Sequence, residues 1–196
     1  VTLRSSILRN GGFGIYVWSA FAEVRAENCL IVDNSQAGVY LRADSRHVLR
    51  NCTIVGNRGD EGDYCYGPSP SGGGIYGSGL TVTNCIVWEN KADLPQYSQI
   101  YGPASVTYCD VEGAWPGTGN INLDPLFADA VNMDFHLTYP SPCKDKGDKS
   151  PSGLPANDFE GDPRPYMGTA DMGADEFVGT HALEVDGFMV PEGTGG

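Results

Sequence analysis

Asp158, Glu160 and Asp162 alternate along N-D-F-E-G-D-P-R, with Gly161 between the last two. Carboxylates at i, i+2 and i+4 around a glycine offer oxygen ligands at a spacing that calcium loops use. The full twelve-residue loop pattern is missing, so a second reading stands beside it. In that reading Asp158, Asp171 or Glu176 pairs with Arg164 and pins a loop. A different chemistry is offered by Tyr16, Tyr40, Tyr76 and Tyr101, which close the phrases G-I-Y, G-V-Y, G-I-Y and Q-I-Y. On one face, in register, they form an aromatic strip about 15 Å long. Such a strip is a platform for sugar faces, with Trp18 and Tyr64 or Tyr66 at the adjoining loops. Rings stacked on one another, or covered by the 58–73 segment, also stabilise a sheet with no ligand at all.

No catalytic set is assigned. β-Elimination on a uronate needs a basic residue beside acids that hold calcium or neutralise the substrate carboxylate. Arg25, Arg42, Arg50 and Lys91 do not line up with acids at equal offsets. A two-carboxylate glycosidase site remains open, but Asp60, Glu61 and Asp63 on one loop and Asp110 and Glu112 on one strand read first as solvated acids. His47, His136 and His181 stand alone in the sequence and read as structural. Of six cysteines, Cys29, Cys52, Cys85 and Cys109 recur at equivalent places and read as a ladder of free, buried thiols. A disulfide between stacked neighbours is the alternative, disfavoured because an in-register ladder holds the side chains parallel. Cys65 and Cys143 are left over, and no Cys–His spacing fits zinc.

The elements that place these residues come from a repeat. N-C-L-I-V-D-N (28–34), N-C-T-I-V-G-N (51–57) and N-C-I-V-W-E-N (84–90) are its clearest copies, with S-S-I-L-R-N (5–10) looser and Y-C-D-V-E-G (108–113) decaying. The closing asparagines Asn10, Asn34, Asn57 and Asn90 are 24, 23 and 33 residues apart, the long interval holding the Gly-, Pro- and Ser-rich insertion 58–73. A strand-like period of this length predicts a right-handed parallel β-helix of four to five rungs over residues 1–113. Alternation puts Cys29, Cys52, Cys85 with Ile31, Ile54, Val87 inside, and Leu30, Thr53, Ile86 outside. Ile15, Val39, Ile75 and Ile100 face in, and the four tyrosines out. Asn28, Asn51 and Asn84 fall at a corner, where asparagine accepts left-handed backbone and amides can stack from rung to rung.

With 27 glycines, 13 prolines and 40% hydrophobic residues the chain suits a turn-rich all-β domain. No apolar run is long enough to span a membrane. The net charge of −13 is uneven: residues 1–109 carry nine acids and eight bases, residues 110–196 sixteen acids and four bases. That imbalance disfavours nucleic acid and anionic membranes as partners and leaves calcium and neutral glycans. The chain opens on a rung and closes in G-T-G-G, which reads as a piece of something longer. An uncovered first rung calls for an identical subunit or a neighbouring domain against it. Residues 179–196 read as a linker or the start of another β domain.

From Ala114 the rungs give way to short motifs: G-N-I-N-L-D-P-L-F (119–127), D-F-H-L (134–137), S-P-C-K-D-K-G-D (141–148), N-D-F-E-G-D-P-R (157–164) and D-M-G-A-D-E-F (171–177). This stretch resembles the C-terminal region of secreted bacterial β-helix proteins that end in a choice-of-anchor Q domain, with rungs similar to the pectin-lyase-like superfamily. Asn120, Ile121, Asp124, Pro125, Leu126, Phe127, Ser141, Pro142, Cys143, Asp145, Asp158, Gly161, Pro163, Arg164, Asp171, Gly173, Ala174 and Glu176 carry the likeness, and Lys144 departs from it. The resemblance implies an exported or cell-surface protein and no particular activity.

Physically, residues 114–178 are expected to fold back as an acidic cover. Leu126, Phe127, Phe135, Leu137, Phe159 and Phe177 anchor it over Leu30, Val32, Val55, Ile86 and Trp88. The functional expectation is an extracellular β-helix module with a structural, adhesive or glycan-associating role. A polysaccharide lyase or glycoside hydrolase whose groove lies partly in absent rungs is the alternative.

Overall fold

A computed structural model describes residues 1–19, 21–41, 46–59, 72–148 and 153–179. Arg42, Asp60, Glu61, Asp63, Tyr64, Cys65, Tyr66, His181, nearly all of the 58–73 insertion and the proposed linker beyond residue 179 lie outside the described residues.

The chain winds through three parallel sheets in turn. The first stacks Thr2–Arg4, Arg25–Glu27, His47–Arg50, Leu80–Thr83 and Ala104–Thr107. The second stacks Ile7–Arg9, Leu30–Val32, Thr53–Val55, Ile86–Trp88 and Asp110–Val111. The third stacks Ile15–Val17, Val39–Leu41, Ile75–Gly77 and Ile100–Tyr101. Each strand is paired with its equivalent one turn away, so the coil itself supplies the crossover that parallel strands require. The strands run two to four residues, and the turns between them carry the specificity of the winding.

Inside the coil the expected faces hold. Cys29, Cys52, Cys85 and Cys109 stack in one buried core with Ile31, Ile54, Val87 and Val111, joined by Ile15, Val39, Ile75 and Ile100 from the third sheet. Cys29, Cys52, Cys85, Cys109 and Cys143 are all free thiols. Each thiol of the ladder donates to the carbonyl two residues earlier, on Glu27, Arg50, Thr83 and Thr107, at 3.2–3.3 Å.

Two corners are made of left-handed residues. Ser5, Asn28, Asn51, Asn84 and Tyr108 form the first, with φ between 44° and 55°. Asn10, Asp33, Gly56, Glu89 and Gly113 form the second, with φ between 50° and 81°. The register Ile7↔Leu30 and Arg9↔Val32 therefore aligns Asn10 with Asp33, not with Asn34 as the repeat alone suggested.

The amide ladder also runs elsewhere than expected. Asn34 donates to Asn57 at 2.8 Å, Asn57 to Asn90 at 2.9 Å, and Asn90 to Gln99 at 2.7 Å, all buried. Each amide also binds main chain of adjacent rungs: the Asn57 Nδ2 reaches the Ile31 carbonyl, and its Oδ1 takes the Asn34 N–H. Gly14, Gly38 and Gly74 precede the third sheet beside this ladder. A Cβ on Gly38 would come within 2.8 Å of both the Gly74 carbonyl and the Asn57 amide. At Gln99, the next position in that column, a side chain is admitted and ends the ladder.

The second sheet is covered by the tail, as its apolar outer face demanded. Leu30, Val32 and Val55 pack with Phe135 and Ala174, and with the partly buried Phe127 and Phe159. Ile86 packs with Leu137, Cys143, Met172 and Phe177. Leu126 is the exception among the expected anchors: it is exposed and left-handed, with φ 54°, and marks the turn into the tail's hairpin instead. That hairpin pairs Phe127–Asp129 with Asp134–Leu137. Ile121 adds one parallel bridge onto Asp110, so the tail begins by extending the second sheet beyond its last rung.

Candidate functional site

The third sheet's outer face carries the aromatic strip. Register pairs Tyr16↔Tyr40, Tyr40↔Tyr76 and Tyr76↔Tyr101. Successive ring centroids are 5.3, 4.5 and 5.1 Å apart, with interplanar angles of 23°, 2° and 21°. Trp18 stacks on Tyr16 at 6.4 Å, and Phe13 sits 4.7 Å from the same ring. The sequence thus brings all four tyrosines together, but not equally open: Tyr16 and Trp18 are 50% and 49% exposed, while Tyr40 is 6% exposed. Phe21, beyond Trp18, is almost wholly exposed. A shallow pocket of about 220 Å³ opens between Tyr76 and Tyr101, floored by Gly77 and Gly102.

A second concavity lies at the corner after the second sheet. This cleft of about 650 Å³ is bordered by Asp33, Glu89 and Glu112, and by Arg58 and Lys91. Arg58 and Lys91 are paired in register on adjacent rungs. The cleft thus gathers two bases with three acids. Arg58 is not among the bases weighed in the sequence, and no acid stands at the offset from Arg58 that Glu89 has from Lys91. The register was hidden because the insertion follows Arg58 directly. Glu112 is already engaged: its Oε2 accepts the Gln99 amide and the Glu89 main-chain N–H.

The suggested calcium ligands are given separate tasks. Asp158 is buried; its Oδ1 accepts the N–H groups of Glu160, Gly161 and Asp162 at 2.9 Å each, and its Oδ2 that of Glu176. Glu160 reaches His136 Nε2 at 2.8 Å. Asp162 contributes its main-chain carbonyl to Asp158 N–H. Among the described residues no three His, Cys, Asp or Glu side chains converge as a metal site. The alternation makes a tight turn around one inward carboxylate, so it does not yield a shared ligand set.

The other acids of the tail act in the same way. Asp171 accepts the N–H groups of Asp145 and Phe177, Asp175 that of Leu137, and Glu176 those of Tyr166 and Asp171. Arg164 sits among them, donating to the carbonyls of Gly173 and Ala174 and to Asn28, and it lies 3.1 Å from Glu176. Of the three sequence candidates to pair with Arg164, Glu176 is the one in ion-pair contact.

Burial, then the charge of Glu176, pushes Asp171 up to about 7, and burial pushes Asp175 up to about 6. Asp110, buried beneath the tail, accepts from the Cys143 thiol at 3.2 Å, and burial raises it to about 6. His136 does not stand alone. Burial opposes its positive charge, but the bonds to Glu160 and Asp134 outweigh that and raise it to about 9. Only the D-x-H spacing of Asp134 and His136 hinted at this in the sequence; Glu160 is 24 residues away.

The corner asparagines belong to this system too. Asn28 holds the Asn157 carbonyl and Arg164, Asn51 the Asp171 carbonyl, and Asn84 the Asp148 N–H. They dock the tail, and do not stack on one another.

The family described as right-handed β-helix region matches residues 1–120. The chain belongs to that family. No curated protein and no solved structure matches it. In this β-helix the coil and the tail divide the labour: the outer face of the second sheet is consumed by packing against the tail.

Proposed function

We propose that this chain is a glycan-associating β-helix module acting outside the cell or at its surface. The observation that carries this reading is the aromatic strip, continued by Trp18 and Phe13 at its open end. Within the strip the rings face one another. A sugar's C–H surface would therefore meet the outward edges of the strip and the half-exposed Tyr16 and Trp18, and these need no charged group to bind it. The chain's net charge of −13 favours a neutral polysaccharide over an acidic one. The resemblance of the tail to choice-of-anchor Q regions supports export, and its buried carboxylates support a structural role for the tail. Affinity electrophoresis through gels containing neutral or acidic polysaccharides tests the reading. The native chain should be retarded by at least one neutral polymer, and replacing Tyr16 and Trp18 together by alanine should abolish the retardation while the fold persists. Equal mobility with and without every polymer sinks the proposal.

A second reading, a carbohydrate-active enzyme, rests on the cleft that places Arg58 and Lys91 beside Asp33 and Glu89. It requires turnover: new unsaturated ends or reducing ends from a polysaccharide, lost in Lys91→Ala. Retention without turnover favours the binding module.

A further inference from the structure

On the first sheet one buried carboxylate faces three guanidinium groups. Arg4 Nε donates to Glu27 Oε2 at 2.9 Å, and the Nη1 atoms of Arg50 and Arg25 lie 3.5 and 3.6 Å from its Oε1. Register dictates the cluster. Arg4, Glu27 and Arg50 occupy one column across three rungs, and Arg25 precedes Glu27 by two residues on the same face. Three cations drawn to one anion repel one another, and the cluster is left short of negative charge. This occurs in a chain whose overall charge is −13, so a lack of acids elsewhere does not explain it.

The guanidinium groups border a cleft of about 580 Å³, closed on its far side by residues 153–158 of the tail. That wall brings no compensating anion. The Gly153 carbonyl is taken by Arg50, and the Asn157 carbonyl by Asn28. Asp158 also borders the cleft, but both its carboxylate oxygens accept main-chain N–H groups of the tail, beside Arg164. Donor capacity remains on the other side. The Arg4 and Arg25 side chains are 69% and 46% exposed, and Arg50 Nε is buried with no acceptor.

We propose that this cleft binds a tetrahedral oxyanion, sulfate or phosphate, either as the free ion or as an ester on a glycan. Guanidinium forks converging from three backbone positions suit an anion that presents oxygens in several directions, and each fork retains N–H groups to give. A tetrahedral group also shares its charge among the three cations without displacing Glu27. The site lies on the first sheet, stands apart from the aromatic strip, and does not rest on the reading of that strip.

The test is calorimetric titration of the full chain with sodium sulfate and sodium phosphate, with sodium chloride holding ionic strength constant. Saturable binding is expected, at least about tenfold weaker in Arg25→Gln. That variant keeps Glu27 paired through Arg4 and Arg50, so the fold stays intact. It should also leave retention by neutral polysaccharide unchanged, which separates failure here from failure of the strip. Arg58→Gln, in the other cleft, should titrate as the native chain does. Dextran sulfate binding more tightly per sulfate than inorganic sulfate would assign the site to glycan esters, and equal affinity would assign it to the free ion. Heat that chloride alone reproduces, or equal affinities of the native chain and Arg25→Gln, overturns the proposal.

Discussion

Arg164 and Glu176 lie 3.1 Å apart with side chains 0% and 1% exposed, so the charge that joins the tail's two last motifs is sealed from water. The contact is an ion pair and not an in-line hydrogen bond. The two Glu176 oxygens instead accept the N–H groups of Tyr166 and Asp171. Removing the cation leaves buried carboxylates uncompensated and strips donors from the Gly173 and Ala174 carbonyls. Arg164→Met should cost about 3–5 kcal/mol. Urea unfolding, followed by a probe on the tail, checks this; a loss under about 1 kcal/mol would mean the pair contributes little.

The pH dependence of the tail has a definite sign. Asp171 and Asp175 titrate near 7 and 6 when folded, against 3.8 as a reference, so the folded tail holds their protons more tightly. Their ionisation therefore costs stability as pH rises through that window. His136 is raised from 6.5 to about 9, so its contribution is complete below 6.5 and lost as pH climbs through 9. All three groups point the same way: the carboxyl contribution is lost between pH 3.8 and about 7 and that of His136 between 6.5 and about 9, so the tail loosens progressively from acid toward pH 9. Glu160, Asp134 and Asp175 are the carboxylates around the imidazole. Because Asp134 and Glu160 are 43% and 47% exposed, the histidine's share is discounted to roughly 1–2 kcal/mol. Hydrogen exchange of amides 172–177, corrected for intrinsic rate, should be less protected at pH 9 than at pH 6, and His136→Gln should remove part of the difference. Unchanged protection would contradict the linkage.

The amide ladder gives a sharper mutational response than its surface appearance suggests. Asn57→Ala strips an acceptor from Asn34 and a donor from both Asn90 and the Ile31 carbonyl, all within a buried column. Unsatisfied buried amides cost about 1–3 kcal/mol each, so a loss of about 3 kcal/mol or more is expected. Asn10→Ala should cost far less, because Asn10 stands one column away from the ladder. Thermal unfolding of the two variants side by side decides the register experimentally.

Much of the coil was legible because period-two alternation and a fixed repeat both report backbone geometry. Cys29, Ile31 and their equivalents could face only one way once the period was set. Tyr108 in the place of Asn84 followed from aligning Y-C with N-C, but Asn10 aligning with Asp33 could not be read so easily, since a one-residue shift preserves the look of the phrase. The tail was harder for a different reason. Its bonds link Asp158 to Glu176 and His136 to Glu160 across 18 and 24 residues of irregular chain. Without periodicity, spacing cannot tell an inward carboxylate that gathers N–H groups from an outward one that waits for a cation. The Arg4–Glu27–Arg50 column was hidden likewise until the register was known.

Thiol reactivity can separate opening of the tail from unwinding of the coil. Cys143 lies between tail and rungs with Leu137, Met172 and Ile86, whereas Cys52 and Cys85 lie within the coil. Burial, followed by the nearby Asp110 charge, raises Cys143, and burial raises Cys52 and Cys85 as well. The native thiols are therefore protected twice over, by access and by protonation. In a chain carrying Cys65→Ser, alkylation should proceed in two phases. Cys143 should react first and accelerate from pH 6 to pH 9 by more than the thiolate chemistry of an unfolded peptide control. Cys52 and Cys85 should react only at the rate of global unfolding. Mass spectrometry of digested, labelled protein assigns each phase. Simultaneous labelling of Cys143 and Cys85 would show that tail and coil open as a single unit, and the tail would then be an integral part of the cooperative fold.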